Sequence, residues 1–474
     1  MKKLFAFFII LSAFFCSAVN AQYHTGVNAI ANPDIPQDEI RAVWLTTIKN
    51  LDWPGTRASS PASVEAQKQE LCEMLDRLKA VRINTVLFQT RMRATVAYPS
   101  AIEPWDQCFT GRYGQSPGYD PLKFAIEECH KRGMQLHCWV VTMTLGKWNE
   151  YGCQQLRRKK PALVKRLGSE AAMNLENVQT AEYLADICEE LTRNYNIDGI
   201  HLDYIRYPDA WSRKVSAQKG REYITTTVRI IHDRVKAINP KVLMSCSPIG
   251  KFSDLARYSS YGWNAYNRGC QDAQGWLRDG LMDQLYPMIY FKGNNFYPFA
   301  IDWAENQYGG KVSAGLGIYF LDPKEGNWTI DEVRRQLNVC RQLGIGQCFF
   351  RAKFLTDNHQ GLYDFVRLFN NADCWPQPSK ASENSTKKPG KELEKPSETG
   401  FYQTDSNLLT LHRDHANDAK YILLETLQGT PVATLPWKGE SIRLNNVPNG
   451  CYWLRSLGKK GVTHRLGMLK LKRP

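Results

Sequence analysis

The sequence of 474 residues has little of what marks membrane proteins, thiol redox motifs or nucleotide-binding sheets. Its one long apolar run, residues 4–15, is too short to span a bilayer comfortably, for which about 20 residues are needed. The 13 cysteines show no C-x-x-C spacing and are predicted to serve mainly as small buried residues. Thr46–Asn50, after the first predicted strand, is not the glycine-rich phosphate turn of a dinucleotide-binding sheet.

The N-terminus has the pattern of an export signal. Lys2 and Lys3 precede the apolar run, and small residues follow up to Ala21. We therefore predict a signal peptide over residues 1–21 and a periplasmic or extracellular protein with no transmembrane helix after cleavage. A lipid anchor at Cys16 is disfavoured because bulky Phe14–Phe15 precede it.

The formal net charge is +14, and the excess is concentrated towards the C-terminus. Residues 455–474 contain seven Lys and Arg and no Asp or Glu. On an exported protein such a basic end is expected to contact an anionic envelope or wall polymer rather than nucleic acid. The alternative is a basic face that is merely solvated.

Residues 40–370 alternate short β-branched or aromatic runs with longer segments of helical period, eight times over. This repetition predicts an α/β fold, a (β/α)₈ TIM barrel, over residues 22–375. The eight strands are predicted at Arg41–Thr47, Asn84–Arg91, Gln135–Val141, Asp198–Asp203, Lys241–Ser247, Gln284–Tyr290, Lys311–Tyr319 and Gly346–Arg351.

The composition changes after the barrel. Residues 376–400 are rich in Pro, Ser, Lys and Glu, which predicts a flexible linker. Short alternating segments return over residues 401–474 and predict a small all-β, sandwich-like module.

Catalytic groups of such barrels lie at the carboxyl ends of the strands. Along Asp198–Asp203 the alternation of side chains places Asp203 at the barrel mouth, in a cleft that can raise its pKa as a general acid requires. The same alternation brings five further side chains to the mouth: Arg91, Trp139, Ser247, Tyr290 and Arg351. His201 is expected in the inner core.

Glycoside hydrolysis needs an acid and a second carboxylate or its equivalent. Glu103, in the loop after the second strand, is the leading candidate for the second group, and Asp322 is next. If neither serves, the 2-acetamido group of an N-acetylated sugar can act as nucleophile. A metal site built from His137, His201 and Asp203 is disfavoured, because the fifth and sixth strands end without further ligands. We predict no cofactor.

At these residues the sequence resembles the family-10-like glycosyl hydrolases, which are exported bacterial (β/α)₈ proteins. The matching segments are Glu39–Leu45, Asn84–Arg91, Tyr98–Trp105, Gly118–Leu122, His130–Gly133, His137–Trp139 and Asp198–Asp203 with Tyr207–Pro208. The resemblance implies hydrolysis of O-glycosyl bonds, with bacterial cell-wall glycan as a plausible substrate. The residues of this sequence that match the family's site motifs are Arg91, Ser100, Glu103, Trp105, Trp139, Asp203 and Tyr207.

Two departures from the family pattern lie beside the expected site. Val140–Met143 stands where an Asn-Pro-Tyr-like segment is expected, and Tyr204 stands where many relatives have a second Asp. A fainter likeness to chitinase-type barrels lacks their acidic Glu, since that position is Ile205.

The first functional hypothesis is an exported glycoside hydrolase that acts on an N-acetylhexosamine-containing glycan, above all peptidoglycan strands. Asp203 is its general acid/base, with Glu103 or the substrate acetamide as the second group. The expected substrate-binding residues are Arg91, Trp105, Trp139, Arg206, Tyr207, Ser247, Tyr290 and Arg351. The alternatives are a non-catalytic protein that binds cell-wall glycan and, less favoured, a carbohydrate esterase.

Overall fold

The structure is a computed structural model that describes residue 36 and residues 38–255, 262–370, 401–404, 407–411, 419–426, 431–437, 441–444, 447–458 and 463–473. It divides into two compact units, one over residues 36–371 and one that contains the C-terminal strands. The predicted signal peptide and the linker at 376–400 lie outside the described residues. No helix in the described ranges combines the length and the apolar character needed to cross a bilayer.

Eight parallel strands form the closed barrel that the sequence predicts. Strand β1 pairs with both β2 and β8, so the sheet closes on itself. The strands are β1 Arg41–Leu45, β2 Thr85–Met92, β3 Gln135–Val141, β4 Gly199–Asp203, β5 Leu243–Cys246, β6 Gln284–Leu285, β7 Lys311–Leu316 and β8 Gly346–Phe350.

Strand β6 is shorter than the predicted Gln284–Tyr290. Pro287 interrupts it, because proline has no N–H to donate to a neighbouring strand. Its carbonyl oxygen still accepts a hydrogen bond from the Gly315 N–H at 2.8 Å. Met288 then resumes parallel pairing through single bridges to Ile249 and Gly315.

Each strand is followed by a helix, and several of these helices start with a capping side chain or a proline. Pro61 and Pro121 occupy first-turn positions, and the Ser60 and Asp120 side chains accept hydrogen bonds from the first-turn N–H groups. The helices are α1 Pro61–Ala80, α2 Pro121–Lys131, α3 Val178–Asn194, α4 Ala217–Ile238, α5 Ala273–Arg278, α6 Tyr297–Glu305, α7 Ile330–Gln342 and α8 Leu362–Asn370.

The barrel interior is filled by aromatic and aliphatic side chains. Trp44 from β1 packs edge-on against Tyr286 and donates its indole N–H to His201 Nε2 at 3.2 Å. His201 Nδ1 lies 3.0 Å from the Ser245 hydroxyl, and complete burial holds the imidazole pKa well below its usual range. His201 is therefore a neutral core residue, as predicted.

The connection between β3 and α3 contains an insertion for which the sequence predicts no strands or helices. Three antiparallel strands, Thr144–Lys147, Val164–Leu167 and Glu170–Met173, form a small sheet, and the helix Tyr151–Lys159 lies between the first two. Because this connection leaves the carboxyl end of β3, the insertion belongs to the same end of the barrel as the expected site.

The C-terminal unit is an all-β module, as predicted. Its strands are Phe401–Thr404, Leu408–Thr410, Ala419–Thr426, Pro431–Pro436, Ser441–Arg443, Gly450–Gly458 and Thr463–Leu471. Five of them form one sheet and two form a second. Side chains from both sheets, including Leu409 and Ile442 from the second and Ile422, Leu454 and Leu469 from the first, share one core.

Candidate active site

Asp203 ends strand β4 and lies at the barrel mouth. The Ser247 hydroxyl donates to its Oδ1 at 2.7 Å, and the Trp139 indole N–H donates to its Oδ2 at 3.0 Å. The N–H of Tyr204 also donates to Oδ1, at 2.8 Å. Thr142 fixes the backbone, since its N–H and its hydroxyl both donate to the Asp203 main-chain oxygen at 2.8 Å. Residues at the ends of three adjacent strands therefore set the direction of one carboxyl group.

The two oxygens of this carboxyl group are not equivalent. Among the described residues, Oδ1 accepts two hydrogen bonds and Oδ2 accepts one, from Trp139, so Oδ2 has more unused capacity to hold a proton. Burial raises the pKa of Asp203, although the hydrogen bonds and the nearby Arg206 charge oppose the rise. A carboxyl group with a raised pKa and such an oxygen is suited to donate a proton.

Tyr290 and its aromatic neighbours line the mouth beside this acid. The Tyr290 ring packs at 5.3 Å from Phe350 and at 6.0 Å from Tyr319, measured between ring centroids. Burial raises the pKa of Tyr290 well above its usual range, and Cys348 and Asp203 add to the rise. Tyr290 packs against the cluster that contains Trp139, the residue that hydrogen-bonds to Asp203. Tyr290 is half-buried and makes no hydrogen bond within the described residues, so its hydroxyl is available to a ligand.

Two further aromatic rings lie near Arg206 and are not among the predicted site residues. Tyr204 is 38% exposed and Trp263 is 37% exposed. The Arg206 guanidinium carbon lies 4.8 Å from the Tyr204 ring centroid and 6.0 Å from that of Trp263. Tyr204 could have been found from its place directly after the acid, but Trp263 lies in a loop that no sequence pattern assigns to the mouth.

Arg206 is the predicted substrate-binding residue with an unused donor. The side chain is buried and held by Asp209 at 2.7 Å. Its Nε has no hydrogen-bond partner among the described residues. The Nε is itself enclosed, so only the outer part of the guanidinium group, which lies against the Tyr204 ring, can contact a polar or anionic substituent of a sugar.

Glu103, the leading candidate for the second carboxylate, is held by Arg91 and Tyr183 and makes no hydrogen bond to Asp203 among the described residues. Its oxygens accept two hydrogen bonds from the Arg91 guanidinium, at 2.7 and 2.8 Å, and one from the Tyr183 hydroxyl at 3.0 Å. The Arg91 side chain is 0% exposed and that of Glu103 is 2% exposed. The ion pair is buried and commits both side chains to each other, although Glu103 also lines a cavity of about 320 Å³.

Three other predicted binding residues make contacts within the fold. Tyr207 is buried and donates its hydroxyl to Glu176 at 3.2 Å. Arg351 forms an ion pair with Asp52 at 2.6 Å. Trp105 packs edge-on against Phe109 at 6.3 Å between ring centroids.

Trp139 and Ser247, also predicted to bind substrate, contact the carboxyl group of Asp203 itself.

Asp322, the second loop candidate, accepts a hydrogen bond from the Lys324 N–H at 2.9 Å and so closes a turn. Within the described residues, no carboxylate makes a hydrogen bond to Asp203.

Two other kinds of catalytic site find little support in the described residues. Gly114–Gly118 spells Gly-x-Ser-x-Gly, but it lies in the loop before α2 and not at a strand-to-helix turn, where a nucleophilic serine would stand. The Ser116 hydroxyl instead accepts a hydrogen bond from the Gly118 N–H at 3.2 Å. No group of three or more His, Cys, Asp or Glu side chains in these ranges is arranged to hold a metal ion.

A closed (β/α)₈ barrel with an acid and aromatic rings at its strand ends is an arrangement typical of glycoside hydrolases. Comparison with known families agrees with this class. The model of the glycosyl hydrolase-like 10 family matches residues 39–223 and 209–319. The chain therefore belongs to the glycosyl hydrolase-like 10 family and is a glycoside hydrolase.

Two curated relatives carry the same class of name. The chain is 29% identical over 428 residues to glycosyl hydrolase YngK of Bacillus subtilis (strain 168), covering 81% of this chain and 80% of that protein. It is 27% identical over 352 residues to glycosyl hydrolase DigH of Escherichia coli (strain K12), covering 63% and 79%. Among solved structures, the glycoside hydrolase domain of PgaB (BpsB) from Bordetella bronchiseptica matches with a TM-score of 0.45 at 14% identity, covering 70% of this chain and 98% of that one.

The buried position of Glu103 generates a prediction about stability. The substitution Glu103→Gln leaves the buried Arg91 charge without its partner and is expected to lower the free energy of unfolding by about 3–5 kcal/mol. Chemical denaturation of the purified chain measures this change. The double variant Arg91→Met/Glu103→Leu removes both charges and should recover much of the loss. A Glu103→Gln variant as stable as the wild type would contradict the structural role.

Proposed function

We propose that this glycoside hydrolase is exported and cleaves a glycan that contains N-acetylhexosamine, with peptidoglycan strands as its substrate. Asp203 is the general acid and later the general base. The observation that carries this assignment is the geometry of its carboxyl group. The group is buried at the mouth, its pKa is raised, and its Oδ2 accepts a single hydrogen bond among the described residues. The predicted signal peptide and the net charge of +14 support a substrate in the anionic cell envelope.

The second catalytic function is assigned to the substrate. Glu103 is tied to Arg91 and Asp322 closes a turn, so neither of the predicted carboxylates is placed to act as nucleophile. We propose that the carbonyl oxygen of the 2-acetamido group attacks C1 of its own sugar. The glycosidic bond breaks as Asp203 gives its proton to the leaving oxygen, and a cyclic oxazolinium ion forms.

The second step returns the enzyme to its starting state. A water molecule attacks C1 of the oxazolinium ion and gives a proton to the Asp203 carboxylate, while the bond from C1 to the acetamide oxygen breaks. The configuration at C1 is retained overall, because two displacements occur at the same carbon. Water thus adds one hydrogen to the leaving sugar and one hydroxyl to C1.

The remaining residues of the mouth have distinct parts in this scheme. Tyr290, Tyr204 and Trp263 offer ring faces and edges on which sugar rings pack. Arg206 binds a polar or anionic substituent through the outer part of its guanidinium group, which lies against the Tyr204 ring. Trp139 and Ser247 act on the acid, because their hydrogen bonds hold its carboxyl group in one orientation. They are positioning residues rather than stacking residues.

The first test removes the proton donor. Asp203→Asn is expected to lower kcat on peptidoglycan strands freed of stem peptides by about 10²–10⁴-fold, since an amide cannot deliver the proton. Release of new reducing ends measures the rate. Asp233→Asn, on the exposed face of α4, is the matched control and should keep full activity. If wild type cleaves the strands and Asp203→Asn is equally fast, the acid has been misassigned.

The second test shifts the pKa of the acid. Ser247→Ala removes a hydrogen bond that favours the ionised form of Asp203, so the pKa should rise further. Because the acid acts in its protonated form, the alkaline limb of the kcat/KM profile should move to higher pH. Ser245→Ala, two residues earlier on β5, leaves the hydrogen bonds of Asp203 intact and should leave the limb in place. If the alkaline limb of the Ser247→Ala profile does not move, that limb does not report the ionisation of Asp203.

The third test concerns the substrate acetamide. Chemical N-deacetylation of the same strands removes the proposed nucleophile but leaves the glycosidic bonds in place. We expect kcat to fall by at least about 100-fold on the deacetylated strands, as for the loss of any catalytic group. Re-acetylation with acetic anhydride should restore the rate. Equal cleavage of both strands would require a nucleophile from the protein.

A further inference from the structure

The insertion between β3 and α3 carries a concentrated positive charge. Residues 144–173 contain seven Lys and Arg and only two Glu. Glu150 is occupied by Arg93 at 2.7 Å, and Lys165 faces Glu176 at 3.6 Å. Within the described part of the chain, no ion pair neutralises the other basic residues of its helix and second strand: Arg157, Arg158, Lys159, Lys160 and Arg166.

Part of this charge is held in place by one tryptophan. The Arg157 guanidinium carbon lies 3.9 Å from the Trp148 ring centroid, and that of Arg166 lies 5.1 Å from it. Arg157 also donates to the Trp148 main-chain oxygen at 3.0 Å. The two guanidinium groups are therefore ordered before any ligand arrives, which reduces the entropy lost on binding.

A cavity of about 320 Å³ opens beside the end of the insertion helix. Lys159 and Lys160 line it, together with Gln155 and residues of the β2–α2 loop and of α3. Two acids also line it: Glu103 pairs with Arg91, and Asp186 shares Arg234 with Glu182 and Glu189. The two lysines are exposed and face the cavity without an ion pair in the described residues.

The insertion is joined directly to the segment that carries the acid. Its chain leaves β3 through Thr142, which hydrogen-bonds to the Asp203 backbone. Lys165 lies 4.2 Å from the ring centroid of Trp211, in the loop that follows β4. A glycan strand bound at the mouth and extending past this loop would therefore meet the basic surface.

We propose that the insertion is a binding subsite for carboxylate groups of the glycan, centred on the cavity beside Lys159 and Lys160. This subsite binds the strand at some distance from the bond that Asp203 cleaves. Because its lysines would bind carboxylates, the substrate class is an acidic glycan whose sugars carry free carboxylates. This inference rests on the proposed function for the identity of the strand. The charges strengthen binding without taking part in the bond changes, so they act on the dissociation constant and KM rather than on kcat.

The experiment measures binding in the absence of cleavage. The full chain with Asp203→Asn is titrated into fluorescein-labelled peptidoglycan strands freed of stem peptides, and fluorescence anisotropy gives the dissociation constant. A second probe is the same strand with its carboxylates coupled to ethanolamine, which makes them neutral. Lys159→Gln/Lys160→Gln is added to the same background. Lys79→Gln/Lys241→Gln, at the opposite end of the barrel, is the control of equal charge.

We expect Lys159→Gln/Lys160→Gln to weaken binding of the acidic strand about tenfold and to leave binding of the neutral strand unchanged. The control pair should match the parent on both probes. Equal binding of the acidic strand by the two double variants would overturn the subsite, as would an equal loss on both strands. A binding difference without turnover by the wild-type chain would uphold the subsite while refuting the proposed hydrolysis.

Discussion

The buried carboxyl group of Asp203 is the constraint on which the catalytic end of this barrel depends. Burial alone favours the neutral acid, whereas three hydrogen-bond donors and the charge of Arg206 favour the ionised form. Burial has the larger effect, so the pKa of Asp203 is raised in spite of these interactions. The donors come from different strands, so the balance exists only while β3, β4 and β5 keep their register. Val141 pairs with Asp203 in that register, and Leu202 pairs with Cys246.

The Arg91–Glu103 ion pair supports this register from behind. Besides Glu103, the Arg91 guanidinium donates to the main-chain oxygens of Val141 and Thr142, the latter at 3.0 Å. Thr142 in turn holds the backbone of Asp203. The family-like motif around Glu103 is thus connected to the acid through one chain of hydrogen bonds. The family resemblance points to Arg91 and Glu103, and in the structure these two residues support the backbone next to Asp203.

Strand periodicity predicted the barrel and the inward direction of Asp203, Trp139 and Ser247, because alternation along a buried strand depends on local geometry alone. It could not predict what an inward side chain contacts. The alternation placed Arg91 near the carboxyl end of β2. It could not predict that Glu103 is the partner of Arg91, because Glu103 lies in the following loop, whose sequence has no periodic pattern. The short β6 could have been foreseen, since Pro287 stands inside the predicted strand.

The insertion at 144–173 was missed for a different reason. Its strands are of four residues each and its helix of nine, so no periodic signal extends far enough to be recognised. Trp263 was missed because an exposed aromatic residue in a long loop looks the same in sequence wherever the loop goes.

Tyr204 has a left-handed backbone, with φ at 53°. This conformation is unfavourable for a residue with a large side chain and is more often occupied by glycine or asparagine. Here it turns the chain sharply after β4, so that one residue both presents a ring to solvent and aims its N–H back at the acid. Glycine at this position would relieve the unfavourable backbone conformation, but it would also remove the exposed ring beside the Asp203 carboxyl group.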